Sequence, residues 1–209
     1  MSLTCAQLLQ KYPQLWQEAT VHPFLQQCKT GEIRPSQFNT WLVQDYLFVV
    51  DFTRLAARLL AASPVEHFDT LLAGLGAIKA ELNWFREKAE ERSLTLNTAK
   101  QPTCETYCRF MAELAEQPYA VQATAFWAIE YAYNQGWQLP GAMTPPYDEF
   151  ADRWGNPGFT VYVQLLAQQA DDALQVAPEA VQQQAEQAFQ TVAQLEKEFW
   201  QMAFNAEGP

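Results

Sequence analysis

Alternating β-branched runs are absent from this sequence, and glycine is scarce, with 8 residues among 209. Half-buried strands and the tight turns that join them usually depend on such residues. Apolar residues instead recur at helical spacing along most of the chain. We therefore predict an all-α helical bundle. Because neither a repeat nor a linker-like stretch interrupts the pattern, we expect a single domain over residues 1–209.

Positive charge is also scarce, since 13 lysines and arginines stand against 24 acidic residues and give a formal net charge of −11. Such a surface repels nucleic acid and anionic lipid, so neither is an expected partner. We recognise no secretion signal and no apolar run long enough to cross a bilayer. A cytoplasmic protein without membrane contact is therefore expected.

Metal-binding side chains are few. The two histidines, His22 and His67, are far apart, and neither follows a glutamate by three residues as di-iron carboxylate bundles require. Cys104 and Cys108 share one helix face, but a zinc site needs more ligands. A G-x-S-x-G nucleophile motif is missing as well. We expect no metal and no other cofactor, and we interpret the cysteines as small buried thiols.

Start and stop signals divide the chain into helices. Gly31 follows the first predicted helix and Pro35 begins the next, while Ser63 and Glu66 have the spacing of a capping box. The "GNPG" turn is predicted to break the sixth helix near residues 155–158. The predicted helices span residues 4–28, 35–62, 65–92, 103–116, 118–138, 146–174 and 178–204.

Three acidic residues fall on helix faces that are otherwise apolar. Side chains three, four or seven residues apart share a helix face. By this rule the neighbours of Asp45, Glu130 and Glu196 are mainly aromatic or aliphatic, as the segment "ATAFWAIEYAYNQGW" around Glu130 illustrates. Glu81 is a weaker fourth case.

Burying such acids needs an explanation, because even a neutral polar group without partners costs roughly 2–7 kcal/mol to bury. In one explanation, hydroxyls, amides or arginines from other helices cap each acid. In the other, the three acids converge with aromatic rings on a pocket for a flat, weakly basic heterocycle. A glycosidase pair is a third use of carboxylates, but a narrow apolar pocket seldom fits a sugar chain. The arginines available for capping are Arg54, Arg58, Arg86 and Arg109.

Several segments, in the same order along the chain, resemble the TenA/thiaminase II family. The resemblance covers nearly the whole chain and implies a haem-oxygenase-like all-α fold, a homodimer or homotetramer, and no metal or haem. It also implies a role in thiamin metabolism, in which the pyrimidine half is released or salvaged. The segments are "HPFLQQCKTGEI", "FNTWLVQDYLFVVDFTR", "TCETYCRFM", "PYDEFADRWGNPGF" and "LEKEFWQMAF".

Many members of that family carry a nucleophilic cysteine on the helix that corresponds to residues 118–138, where this chain has none. The resemblance places Glu130 at that position, as in the branch named for its glutamate. A thiolate adds to the pyrimidine ring of thiamin far better than a carboxylate, which disfavours cleavage of thiamin itself. The resemblance instead implies hydrolysis of aminomethyl- or formylaminomethyl-pyrimidine with release of hydroxymethylpyrimidine.

We hypothesise roles for individual residues in such a reaction. Asp45 is expected to anchor the pyrimidine by its amine and a ring nitrogen. Glu196 is expected to donate or accept a proton, and Glu130 to activate water or bind the leaving group. Acid–base work at neutral pH needs raised carboxyl pKa values, which a dry aromatic pocket favours. The residues expected to bind or line the substrate are Phe48, Tyr107, Trp154 and, where the cysteine branch has a tyrosine, Asn134.

Two other functions stay open at this point. A non-catalytic pyrimidine carrier or regulatory protein on the same fold needs the same pocket chemistry. A haem or redox enzyme of related fold would need His22 as an iron ligand. The "HPF" segment is more typical of a helix-turn feature in which His22 caps or packs.

Overall fold

The computed structural model describes residues 2–208, in which every regular element is helical. The prediction of an all-α protein is therefore confirmed. A 3-10 turn, Val65–His67, precedes the fifth helix. The helices are α1 (Cys5–Lys11), α2 (Pro13–Thr20), α3 (Pro23–Thr30), α4 (Pro35–Ala62), α5 (Phe68–Glu91), α6 (Pro102–Leu114), α7 (Tyr119–Gln138), α8 (Asp148–Trp154), α9 (Pro157–Val176) and α10 (Glu179–Phe204).

The chain forms two compact units. The first contains the residues up to Ile33 together with Pro118–Gln201, and the second contains Arg34–Gln117 together with the residues from Met202 on. The single domain expected over residues 1–209 stays a prediction. Between residues 2 and 208, no helix is both long and apolar enough to span a bilayer.

Proline decides where the first helices begin. The single helix predicted over residues 4–28 is wrong, because Pro13 and Pro23 each begin a new helix. Proline lacks a backbone N–H and cannot continue a helix without losing a hydrogen bond, but it fits the first helical turn. The predicted capping box at Ser63 is also wrong, since the Ser63 hydroxyl donates to the Leu60 carbonyl at the end of α4 (2.9 Å).

The predicted break of the sixth helix is confirmed, because α8 ends at Trp154 and α9 begins at Pro157. The Asn156 side chain caps α9 by accepting a backbone hydrogen bond from its first turn (2.9 Å). Gly155 permits a close backbone contact, since a Cβ there would lie 3.2 Å from the Gln138 Cα of α7. The corner between α8 and α9 is therefore packed against the end of α7.

In the first unit, α7 is buried on nearly all sides and contacts α2, α8 and α9. Its alanines and Gly136 keep the helix narrow enough for close packing. The rings of Trp16 and Trp127 are parallel, with centroids 6.3 Å apart, and Phe189 of α10 stacks on Trp16 at 5.3 Å. Such ring pairs contribute about 0.5–1.5 kcal/mol each beyond the area that they bury.

In the second unit, α4 packs against α5 and α6. Trp41 contacts Phe38 at 5.2 Å and Phe85 of α5 at 6.3 Å between ring centroids. The buried Gln44 amide donates to the Ala99 carbonyl (3.2 Å) and accepts from the Gln101 backbone (2.7 Å). These bonds fix the segment that leads into α6.

His22 caps the start of α3, which agrees with the capping role predicted for it. Its Nδ1 accepts a hydrogen bond from the Phe24 backbone (3.1 Å), so its Nε2 carries the proton and donates to Gln201 Oε1 of α10 (3.3 Å). Burial lowers the pKa of His22 below its ordinary value of 6.5; the bond to Gln201 opposes this and the charge of Lys197 adds to it. Protonation of Nδ1 would break the helix cap.

This arrangement predicts a loss of stability in acid. Above pH 6.5 His22 is neutral in the folded and unfolded chains, whereas below it the unfolded chain binds a proton that the folded chain resists. One such proton lowers the free energy of unfolding by at most about 1.4 kcal/mol per pH unit, until the lowered folded pKa is reached. His22→Asn keeps a capping oxygen but does not titrate.

Urea unfolding between pH 7.5 and 5 should therefore show a steeper loss of stability for the natural chain than for His22→Asn. Parallel pH profiles would contradict the neutral, capping state of His22.

Candidate active site

Glu130 lies on α7 and is buried, with 8% of its surface exposed. The Tyr162 hydroxyl of α9 donates a hydrogen bond to Glu130 Oε1 at 3.3 Å. A hydroxyl donor offsets part of the cost of removing a carboxylate from water. Helices α7 and α9 therefore supply a buried carboxylate and a phenol that meet in the first unit.

Glu196 lies on α10 and is buried, with 1% exposed. Its neighbours in sequence point elsewhere, as their helical positions predict. Lys197 is half-buried and forms an ion pair with Glu18 of α2 (2.8 Å), and the exposed Glu198 accepts from Gln194 (2.7 Å). Of these three consecutive charged residues, only Glu196 is inside.

Asp45 lies on α4 and is fully buried. The fourth acid, Glu81 on α5, is only half-buried. Burial of Asp45 together with the other two candidates agrees with the apolar helix faces that single them out in the sequence. Asp45, Glu130 and Glu196 come from three different helices, α4, α7 and α10.

Cys104 of α6 lies near Asp45 and has the character of a buried thiol. Its Sγ donates to the Gln44 carbonyl (3.5 Å). The pKa of Cys104 is raised far above its ordinary value by a hydrogen bond with Cys108, by burial, and to a lesser extent by the charge of Asp45. A thiol that resists ionisation is a poor nucleophile. The interpretation of Cys104 as a structural residue fits this environment.

Phe48 and Tyr107, two of the predicted lining residues, are brought together. Both are buried, and their ring centroids lie 4.8 Å apart with an interplanar angle of 59°. Phe52 stacks on Phe48 at 5.8 Å. The second unit thus carries an aromatic cluster of α4 and α6 side chains.

Asn134 and Trp154 are also brought together. The Asn134 amide Nδ2 donates to the Trp154 carbonyl (2.8 Å) and to the Thr160 hydroxyl (3.1 Å), and Asn134 is completely buried. The Trp154 ring stacks on Trp137 (5.5 Å) and meets Tyr133 edge-on (5.8 Å). The predicted contacts of Asn134 and Trp154 with substrate stay predictions.

Three of the four arginines proposed as caps have contacts within the second unit. Arg54 pairs with Asp51, Arg86 donates to the Tyr46 hydroxyl (3.3 Å), and Arg109 donates to the Thr106 hydroxyl. Over residues 2–208, no group of three or more His, Cys, Asp or Glu side chains is placed to hold a metal ion.

Sequence reasoning missed Tyr162 and Thr160. Neither lies within one or two helical turns of an acid, so helical spacing does not connect them to Glu130 or Asn134. Tyr162 is 32 residues from Glu130 in sequence and Thr160 is 26 residues from Asn134. The nearest signal is the "GNPGF" turn, which starts α9 just before both residues.

Comparisons with known proteins agree on one family. A family model described as "TENA/THI-4/PQQC family" matches residues 9–206. A Glycine max protein named "Probable bifunctional TENA-E protein" is 33% identical over 207 residues, which cover 93% of this chain and 90% of the relative. The "Aminopyrimidine aminohydrolase" of Halalkalibacterium halodurans is 27% identical over 215 residues, which cover 96% of this chain and 95% of the relative. The solved structure of a TenA homologue from Pyrococcus furiosus superposes with a TM-score of 0.91 at 26% sequence identity. The match covers 95% of this chain and 98% of the homologue.

The bond between Tyr162 and Glu130 predicts a small, context-dependent effect on stability. At 3.3 Å it is longer than a typical O–H···O bond, so Tyr162→Phe should cost about 0.5 kcal/mol of unfolding free energy. The same change in a Glu130→Ala background should cost less, because this acceptor is gone. Urea unfolding of the four proteins measures this coupling, and an equal loss in both backgrounds would argue against the bond.

Proposed function

Because the chain belongs to the TENA/THI-4/PQQC family, we propose that it is an aminopyrimidine hydrolase of thiamin salvage. The observation that carries the proposal is a buried carboxylate, Glu130, on a helix without cysteine. The fold is the haem-oxygenase-like all-α fold of TenA proteins. The relative from Halalkalibacterium halodurans is named for an aminopyrimidine reaction, and the name of the Glycine max relative contains TENA-E.

The proposed substrates are a 4-amino-5-aminomethylpyrimidine and its N-formyl derivative. Water replaces the amine of the aminomethyl group, its carbon–nitrogen bond breaks, and hydroxymethylpyrimidine and ammonia leave. With the formyl compound, water first cleaves the amide, formate leaves, and the aminomethylpyrimidine that remains then reacts in the same way. Both reactions use water as the nucleophile, so neither requires the thiolate that cleavage of thiamin favours.

In this proposal the three buried acids divide the work. Asp45 accepts hydrogen bonds from the pyrimidine amine and a protonated ring nitrogen, which suits a carboxylate in an apolar setting. Glu196 transfers a proton at the ring or the leaving amine, and Glu130 activates water or binds the leaving group. Tyr162, which donates to Glu130, keeps that carboxylate oriented. The burial of all three acids among aromatic side chains supports these roles.

Aromatic side chains are proposed to hold the flat ring. Phe48 and Tyr107 form one cluster and Trp154 belongs to another, and faces of such rings stack well on heterocycles. Asn134 is the remaining candidate contact from the sequence.

We also propose a cytoplasmic enzyme that assembles as a homodimer or homotetramer. Large apolar side chains that are exposed in the single chain support an assembly, and two of them, Val161 and Leu165, lie one helical turn apart on α9. Light scattering of the purified protein gives the number of copies directly. These side chains include Val65, Leu72, Val161 and Leu165.

Isosteric amide variants test the catalytic assignment. Glu196→Gln and Glu130→Gln retain size and burial but cannot exchange the proton, so kcat for ammonia release should fall by about 100-fold or more. The matched control is Glu198→Gln, the same change on the same helix at an exposed position, and its kcat should equal that of the natural chain.

Unchanged turnover in Glu196→Gln would remove that residue from the mechanism. If the natural chain binds aminopyrimidines in calorimetry but releases neither ammonia nor formate, it is a carrier and not a hydrolase.

A further inference from the structure

Two hydrogen-bonded pairs join the same two helices of the first unit. Tyr162 of α9 donates to Glu130 of α7 (3.3 Å), and Thr160 of α9 bonds reciprocally with Asn134 of α7 (3.1 and 3.2 Å). Glu130 and Asn134 are four residues apart and therefore lie on one face of α7, one turn from each other. The pairs form two rungs between α7 and α9.

On α9 the side chains that form the two rungs, Thr160 and Tyr162, lie on opposite sides of the helix. Thr160 and Tyr162 are two residues apart, so their side chains point about 200° away from each other around the helix axis. The buried face of α9, which includes Val163 and Ala170, lies between them. A rotation of α9 about its axis therefore moves both side chains relative to α7 at once, and the two rungs together fix that rotation.

The side-chain amide of Asn134 forms hydrogen bonds with Thr160 of α9 and with the corner that precedes α9. Its two amide hydrogens are donated to the Trp154 carbonyl (2.8 Å) and the Thr160 hydroxyl (3.1 Å), while its Oδ1 accepts from Thr160 (3.2 Å). Gln138, one turn later on α7, donates to Thr160 Oγ1 (3.4 Å) and to the Gly155 carbonyl (3.3 Å). Asn134 thus has no amide hydrogen left to offer to a substrate.

The rung at Tyr162 is the more sensitive of the two. An O–H···O bond of 3.3 Å is near the limit of useful strength, and such bonds in enzymes often tighten only when substrate is bound. At the outer radius of a helix, a rotation of roughly 10° moves an atom by about 1 Å. A small rotation of α9 is therefore enough to lose or gain the contact.

We propose that Asn134 and Thr160 are positioning residues, which hold α9 in the rotation that keeps the Tyr162 hydroxyl on Glu130. This gives Asn134 a role in place of the direct substrate contact expected from its position. The inference rests on the proposed function to the extent that Glu130 acts on the substrate, whereas the mechanical link between the two rungs does not depend on it.

A double-mutant cycle tests the link in the full-length protein. Thr160→Val removes the hydroxyl at nearly constant volume and should lower kcat for ammonia release roughly 10-fold with KM little changed, since Thr160 holds Tyr162 and not the pyrimidine. In a Tyr162→Phe background the same change should have no further effect on kcat. Thr160→Ser keeps the hydroxyl, and its kcat should be close to that of the natural chain.

Thr124→Val is the matched control. Thr124 is buried on α7 and bonds the carbonyl one turn back, that of Ala120 (2.8 Å). The Thr160 hydroxyl lies 3.3 Å from the equivalent carbonyl, that of Asn156, and shares its one hydrogen between that carbonyl and Asn134 Oδ1 (3.2 Å). Thr124→Val and Thr160→Val therefore both lose a threonine hydroxyl, but only Thr160→Val loses a bond to Asn134. The kcat of Thr124→Val should equal that of the natural chain.

Crystal structures of the two valine variants decide the same question without activity. The separation of the Tyr162 hydroxyl and Glu130 Oε1 should exceed 3.5 Å in Thr160→Val and stay near 3.3 Å in Thr124→Val. An unchanged separation in Thr160→Val would overturn the proposal. So would an equal loss of kcat from Thr160→Val in the natural chain and in the Tyr162→Phe background. If the natural chain hydrolyses no aminopyrimidine, the proposed function fails, and the crystallographic comparison still decides the link.

Discussion

A carboxylate inside an aromatic helix face is the constraint on which this molecule depends. Removing a carboxylate from water costs several kcal/mol unless donors surround it. Three carboxylates are nevertheless buried, those of Asp45 on α4, Glu130 on α7 and Glu196 on α10. For Glu130 one donor is visible in the Tyr162 hydroxyl. Leucine at such positions would stabilise a core more than a carboxylate does, so core stability alone does not explain the acids.

Two of the buried cysteines resist ionisation. Cys5 and Cys104 are buried, and burial together with hydrogen bonds raises the pKa of each thiol far above its ordinary value. Helix α7 carries a buried carboxylate and no cysteine. Proton transfer and activation of water are what buried carboxylates do well, and hydrolysis of aminopyrimidines requires both.

The α8–α9 corner links the fold to that chemistry. Gly155 allows close backbone approach to α7, Asn156 caps α9, and Pro157 starts it. The "GNPG" segment therefore sets where α9 begins, and the bond of Thr160 to Asn134 sets how the helix is turned. Both features lie outside the acids, yet they determine which side chain of α9 reaches Glu130.

Much of this was predictable from local pattern. The helical class, the bounds of α4, the break at the "GNPG" turn, the capping role of His22 and the burial of Asp45, Glu130 and Glu196 all follow from helical periodicity and from capping chemistry. The amino-terminal stretch was mispredicted as one helix, because its apolar spacing continues across Pro13 and Pro23 while the backbone cannot.

What the sequence by itself determined is which residues face inward on each helix, since a helix repeats every 3.6 residues whatever surrounds it. Only the tertiary structure decided which inward residues meet. Tyr162 reaches Glu130 across 32 positions, and Thr160 reaches Asn134 across 26. The reason is physical: the rotation and axial position of one helix against another depend on close packing along their whole contact, which no short stretch of sequence contains.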